Sequence, residues 1–175
     1  TTGGAVAIGY QALKTQNVNS AGSNVAVGYV AGTAMTTGVD NVLLGALAGN
    51  AITTGDSNVA IGKNSLRTED TGDYNVAIGH EALYNLNYDG SAYNTVVGYR
   101  AGKAMNTGIQ NAILGAEAGD ALTTSSNNVL VGYDSGGATT IGDKNVFIGS
   151  EAGKTNIDGN AGVALGYRAL YVQEP

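Results

Sequence analysis

A glycine returns at a nearly fixed interval along the whole chain, closing a short apolar run each time. The pattern Asn-Val-x-Φ-Gly, with Φ aliphatic, ends at Gly9, Gly28, Gly45, Gly62, Gly79, Gly98, Gly115, Gly132, Gly149 and Gly166. The intervals are 19, 17, 17, 17, 19, 17, 17, 17 and 17 residues. A unit this short cannot enclose a core alone, but stacked copies bury a continuous one, which is the logic of a solenoid. The 19-residue interval occurs twice, starting 70 residues apart, and residues 24–54 and 94–124 match closely (Tyr29/Tyr99, Ala34-Met35/Ala104-Met105). This longer period does not continue to the end of the chain.

Each repeat reads as a strand, a bend, a second short strand and a turn. Asn58-Val59-Ala60-Ile61 is too short for a helix and suits a strand. The glycine permits a bend or a close backbone approach. The second strand is expected in stretches such as Gln11-Ala12-Leu13 and Leu47-Ala48-Gly49. The third residue after every repeat glycine is Ala or Ser, which implies a narrow interior. Thr36-Thr37-Gly38, Thr53-Thr54-Gly55 and Asn106-Thr107-Gly108 supply turn chemistry. The expectation is therefore one all-β domain over 1–175, a β-solenoid of ten coils of 17–19 residues. At about 4.8 Å per coil it forms a rod of roughly 45–50 Å.

Asn opens eight of the ten repeats, from Asn24 to Asn145. In register these side chains either form an amide ladder or simply tolerate a turn conformation. Successive strand residues face opposite ways. Val and Φ, as in Val59/Ile61, share one face, and the sequence reading assigns it to the interior. The residue between them is apolar in every copy, including Leu43, Val96, Ile113, Leu130 and Phe147. Assigned outward, these residues form an apolar stripe, and a stripe of that kind marks an interface. Self-association is the expectation; periodicity does not set the number of chains.

Composition narrows function by exclusion. The net charge is −6, and the 8 Lys+Arg are scattered singly, so no basic stripe meets phosphates or anionic lipid. The absence of Cys removes disulfides and thiolate metal sites. No apolar run reaches the length of a membrane-spanning helix, and no signal peptide is visible. With 43% hydrophobic residues set in regular blocks, order is expected over disorder despite 28 Gly.

The motifs Gly3-Gly4-Ala5-Val6-Ala7-Ile8-Gly9-Tyr10-Gln11-Ala12-Leu13 and Asn58-Val59-Ala60-Ile61-Gly62 resemble the head repeats of YadA-like trimeric autotransporter adhesins. They are more similar still to the Asn-x-Ala-Ile-Gly-Tyr-x-Ala-Leu repeats of phage and viral tail-fibre proteins. The resemblance spans essentially the whole chain. It implies a left-handed β-roll, a parallel homotrimer, and a place on a virion or cell surface, outside the cell. The coils are longer than the usual YadA head repeat, and the chain carries no coiled-coil stalk, membrane anchor or C-terminal chaperone domain.

No catalytic or cofactor-binding constellation is expected. Gly149-Ser150-Glu151-Ala152-Gly153-Lys154-Thr155 approaches a phosphate-binding loop but is one residue short between its glycines and follows the repeat frame. Asp134-Ser135-Gly136 lacks the Gly-x-Ser-x-Gly elbow, and His80 is the single histidine. Asp56, Asp73 and Asp143 share one place after the turn glycine. Stacked carboxylates hold Ca²⁺ in some rolls, but Val39, Ile109 and Ser126 fill that place elsewhere, so a solvated turn is expected and no metal.

Tyr10, Tyr29, Tyr99, Tyr133 and Tyr167 follow repeat glycines and are the candidate contacts for a host-surface receptor or glycan. The functional expectation is a structural shaft or head segment of an extracellular trimeric fibre supporting attachment, as in a viral or phage tail fibre. A bacterial trimeric adhesin head is the alternative within the same class. An ice-binding solenoid, suggested by the Thr pairs, is the alternative from a different class.

Overall fold

A computed structural model describes residues 4–17 and 22–171; Gly3 of the first motif lies outside them. Among the described residues ten three-residue strands follow one another: β1 (Val6–Ile8), β2 (Val25–Val27), β3 (Val42–Leu44), β4 (Val59–Ile61), β5 (Val76–Ile78), β6 (Thr95–Val97), β7 (Ala112–Leu114), β8 (Val129–Val131), β9 (Val146–Ile148) and β10 (Val163–Leu165). They form one parallel sheet in chain order, β1 to β10. Equivalent repeat residues pair throughout, as in Val59↔Val76 and Ala60↔Ala77. The longer coil keeps this register, with Val76↔Thr95 and Ala77↔Val96. The chain is thus a parallel β-solenoid whose coil is the sequence repeat.

The repeat glycine keeps the coils in contact. A Cβ at Gly62 would lie 2.5 Å from the carbonyl oxygen of Gly79, and φ at Gly62 is +125°. Side chains are excluded there on both counts, and the same contact repeats from coil to coil.

The stretch after the glycine is not the second strand expected from sequence. The second residue after each glycine is left-handed, for example Val30 (φ 61°), Leu47 (φ 61°) and Arg100 (φ 55°). The fourth residue is left-handed too: Leu13 (φ 49°), Leu66 (φ 47°) or the glycines Gly49 (φ 50°) and Gly119 (φ 55°). Alternating left-handed residues break an extended chain into a corner. Each non-Gly residue of this kind costs about 1 kcal/mol or more. Bonds between coils hold them there: Val30 N–H donates to Tyr10 O at 2.8 Å and Leu47 N–H to Tyr29 O at 2.9 Å.

The strand faces are the reverse of the expectation. The middle residue of β2 to β10 points inward and is buried, including Leu43, Val96, Ile113, Leu130 and Phe147. Val59 and Ile61 flank it on the outside at intermediate exposure, and their equivalents are intermediate or exposed. The interior is narrow, and its volume is shared between the mid-strand residue and the fourth residue after the glycine. Ala60 and Ala77 stand with Leu66 and Leu83; Leu43, Ile113, Leu130 and Phe147 stand with Gly49, Gly119, Gly136 and Gly153. A Cβ at Gly49 would meet Leu43 Cδ2 at 2.7 Å, and one at Gly119 would meet Leu130 Cδ1 at 2.8 Å. The coil bearing Ala26 and Gly32 departs from this pairing; Leu43 and Leu13 from its neighbours fill the space beside Gly32. The small Ala or Ser three residues after the glycine is buried in eight coils, from Ala31 to Ala152. A further inward row carries Met35, Ile52, Leu86, Met105 and Leu122.

Candidate functional site

Three side-chain ladders run along the rod. The first is the buried asparagine ladder. The Asn41 N–H donates to Asn24 Oδ1 at 2.8 Å, Asn58 to Asn41 at 2.9 Å, and Asn111 to Asn94 at 3.0 Å. The series ends with Gly162 N–H donating to Asn145 Oδ1 at 2.8 Å. Except at Asn75, in the 19-residue coil, the amide Nδ2 also ties its coil closed, as in Asn24 to Gly38 O (2.7 Å) and Asn128 to Gly142 O (3.0 Å). Of the two readings of these asparagines, the ladder is the one present.

The second ladder uses the aspartates considered for Ca²⁺. Val39 N–H donates to Asp56 Oδ1 at 2.7 Å, Asp56 N–H to Asp73 Oδ1 at 2.8 Å, and Ser126 N–H to Asp143 Oδ1 at 2.7 Å. Their carboxylates serve as backbone acceptors between turns. Among the described residues no cluster of three or more His, Cys, Asp or Glu is placed to hold a metal. In the third ladder threonine hydroxyls donate to the next coil: Thr36 to Thr53 O, Thr53 to Asp70 O, Thr123 to Thr140 O and Thr140 to Ile157 O.

Among the described residues one carboxylate, that of Glu69, lies in the interior. Glu69 is fully buried in the row that also carries Met35, Ile52, Leu86, Met105 and Leu122. It accepts N–H groups from Gly72 (2.7 Å), Asp70 (3.0 Å) and Tyr88 (3.2 Å). Tyr88 belongs to the enlarged turn of the 19-residue coil, so Glu69 fastens that turn to the 17-residue coil beneath it. Burial raises its carboxyl above the ordinary value of 4.5, against the lowering effect of the backbone donors.

The side chains resembling catalytic groups are engaged in the fold. Ser135 is buried and its hydroxyl donates to Phe147 O at 3.0 Å. Asp134 pairs with Lys154 at 2.7 Å, and Gly149 N–H bonds Val131 O as part of the sheet. His80 stacks on Tyr99 with centroids 5.5 Å apart and planes at 17°.

The five candidate tyrosines occupy one exposed column. Tyr10 and Tyr29 stack at 5.4 Å and 14°. Tyr99 meets His80, whereas Ala116 and Ser150 separate Tyr99, Tyr133 and Tyr167 from each other along the column. The Glu117 carboxylate beside the Tyr133 phenol raises the phenol's pKa above its ordinary value. Two aromatic features were not singled out from sequence. Tyr74 and Tyr93 stack at 5.1 Å and 4°, and Tyr84 carries Arg67 and Lys103 over its ring at 5.4 and 5.8 Å. Repeat alignment contains the first signal, because Tyr74 and Tyr93 each immediately precede the repeat Asn.

The broadest surface feature is the outer face of the sheet. Val and Φ run along it in two parallel columns, and every outward strand position except Thr95 is apolar. Ile8 is 58% exposed and Leu114 52%. Comparison with protein-family models, with curated proteins and with solved structures finds no match to this chain. Among the described residues no helix is long and apolar enough to cross a membrane.

Proposed function

We propose that this chain is a structural segment of an extracellular trimeric fibre, acting as a stiff spacer that supports attachment. The observation that carries the reading is the two-column apolar face of Val59/Ile61 and their equivalents along the sheet. A solvated sheet face alternates to polar residues, and this one does not. A parallel homotrimer about an axis beside that face would cover it, in keeping with the left-handed β-roll of the tail-fibre and YadA-like repeats that the motifs resemble. The ladders support the spacer role, since backbone hydrogen bonds tie coil to coil and Asn, Asp and Thr side chains add further bonds between many of them. A tail fibre of a virus or phage is the preferred setting, and no catalysis is assigned.

The exposed tyrosine column favours a second reading, a bacterial adhesin head that itself contacts host glycan or matrix. Ice binding is disfavoured, because the hydroxyls of Thr36, Thr53, Thr123 and Thr140 donate to neighbouring coils. Sedimentation with small-angle scattering tests the proposal. An elongated trimer at micromolar concentration is expected, and a soluble monomer contradicts it.

A further inference from the structure

We propose that Tyr10 with Tyr29 and Tyr74 with Tyr93 are two oxidative modification sites, each taking one carbon–carbon bond between phenol rings that staples the chain across a long coil. Among the described residues three ring pairs stack: Tyr10/Tyr29, Tyr74/Tyr93 and His80/Tyr99. The members of each pair are 19 residues apart, so every one of these stacks bridges a 19-residue coil.

The side-chain ties between coils thin out at the same two places. Asn94 N–H meets Asn75 Oδ1 at 3.4 Å, whereas the amide ladder keeps between 2.8 and 3.0 Å across the 17-residue coils. At the first long coil Ala5 stands opposite Asn24 and offers it no side-chain acceptor. Tyr74 and Tyr93 are also left-handed, at φ 58° and 54°, in a place that Asp40, Ser57 and Asn127 fill in other coils. A bulky aromatic there is an outlier that the turn itself does not require.

The two tyrosine pairs are set for coupling. Ring centroids lie 5.1 Å apart at 4° in Tyr74/Tyr93 and 5.4 Å apart at 14° in Tyr10/Tyr29, in stacking contact. Tyr10, Tyr29, Tyr74 and Tyr93 are 62%, 58%, 47% and 55% exposed, open to an oxidant in solvent. The oxidant takes one electron and the phenol proton from each ring. The unpaired electron of a phenoxyl is shared with the ring, and because the para carbon carries the side chain, the Cε carbons are the free positions. One Cε of each ring joins the other, and the hydrogens on those two carbons pass to the oxygens and restore both phenols. The net change is one new carbon–carbon bond, with two electrons and two protons released. Hydrogen peroxide consumed by a haem peroxidase accepts them and becomes two waters. Holding the rings together makes the joining step unimolecular.

Other phenols have different neighbours. Tyr99 faces His80, Tyr84 lies under Arg67 and Lys103, and Arg168 sits over both Tyr167 and Tyr171. The inference depends on the two ring pairs and not on the fibre reading.

The test treats the folded protein with a haem peroxidase and hydrogen peroxide, then reads dityrosine fluorescence and peptide masses after trypsin. Two bonds are expected, each with the loss of two hydrogens and each within one chain. The Tyr10–Tyr29 bond should join the peptides on either side of Lys14, and fragmentation should place the Tyr74–Tyr93 bond inside the peptide from Thr68 to Arg100. Tyr10→Phe/Tyr74→Phe keeps all four rings and should lose both bonds, with its fold checked by circular dichroism. The oxidised native chain should melt above the oxidised double variant. No dityrosine in the folded chain, the same yield in the folded double variant, bonds formed mainly between chains, or equal yield of these pairs in urea-unfolded chain overturns the proposal.

Discussion

The ring of Phe147 fills the space that a side chain at Gly153 would occupy, so that a Cβ on residue 153 would meet Cγ, Cδ2 and Cε2 of that ring. The pair is one case of a volume exchange between strand and corner across the interior. In the coils of β4 and β5, Ala60 and Ala77 face Leu66 and Leu83 instead. A left-handed leucine is accepted at the corner (φ 47° and 48°), and so is a left-handed glycine at 153 (φ 61°). The exchange lies in volume rather than in backbone.

Phe147→Ala is therefore expected to cost about 3–5 kcal/mol, as a large buried truncation does. Gly153→Leu alone overpacks the coil and costs about 1–3 kcal/mol. The double variant rebuilds the Ala-Leu coil already present at 60/66 and should melt above Phe147→Ala. Thermal melts of the three variants measure the coupling; strict additivity would contradict the exchange.

Asn111 carries two coils of the amide ladder. It donates to Asn94 Oδ1 and Ser125 O, and its own Oδ1 accepts the Asn128 N–H at 3.0 Å. Asn111→Ala orphans a buried N–H and a carbonyl, at about 1–3 kcal/mol for each. Asn111→Asp keeps the shape but brings a buried carboxylate against Asn94 Oδ1, so it should be the worse variant at pH 7 and improve on acidification. Chemical denaturation at two pH values checks the order.

Glycine at the bend is required for two separable reasons, and two positions distinguish them. Gly62 has φ +125° and the Gly79 carbonyl 2.5 Å from where its Cβ would be, whereas Gly166 has φ +116° and nothing within 4 Å. Gly62→Ala should lower the melting temperature far more than Gly166→Ala. Equal shifts would mean that conformation alone, and not the close stacking of coils, fixes this residue.

Glu69 gives a pH dependence of definite sign. Its folded pKa is raised by burial above 4.5, so the folded chain holds this proton over a range where the unfolded chain has lost it. Its contribution to stability is fully present below the unfolded pKa and falls as pH rises through the folded one. Measured against Glu69→Gln, which does not titrate, the native protein should gain stability on acidification from neutral pH toward pH 4.5. Parallel melting curves across that range would contradict the raised value.

The ten-coil register was legible because one glycine per coil must meet the carbonyl of the next, a constraint no side chain satisfies. The narrow interior was legible from the Ala or Ser after it. The strand faces were not, because Val59, Ala60 and Ile61 are all apolar and alternation offers no polar phase to choose by. The deciding signal lies between segments: a mid-strand residue that is large when the corner is Gly and small when it is Leu must share volume with it. The corner itself was misread as a strand because a run such as Leu47-Ala48 looks extended until its left-handed residues are seen. The tyrosine column was legible from repeat alignment.

Sedimentation equilibrium of the native chain beside Ile61→Asp/Ile78→Asp and Leu130→Asp tests the central claim most directly. Ile61 and Ile78 lie on the outer face, and Leu130 is fully buried inside the coil. The native chain should sediment at three times its 17.5 kDa mass. The outer-face variant should dissociate while keeping its circular dichroism, and Leu130→Asp should lose its fold by burying an unpaired charge. A native chain that sediments at 17.5 kDa, or an outer-face variant that retains the trimer mass, would contradict the covered sheet face on which the fibre reading depends.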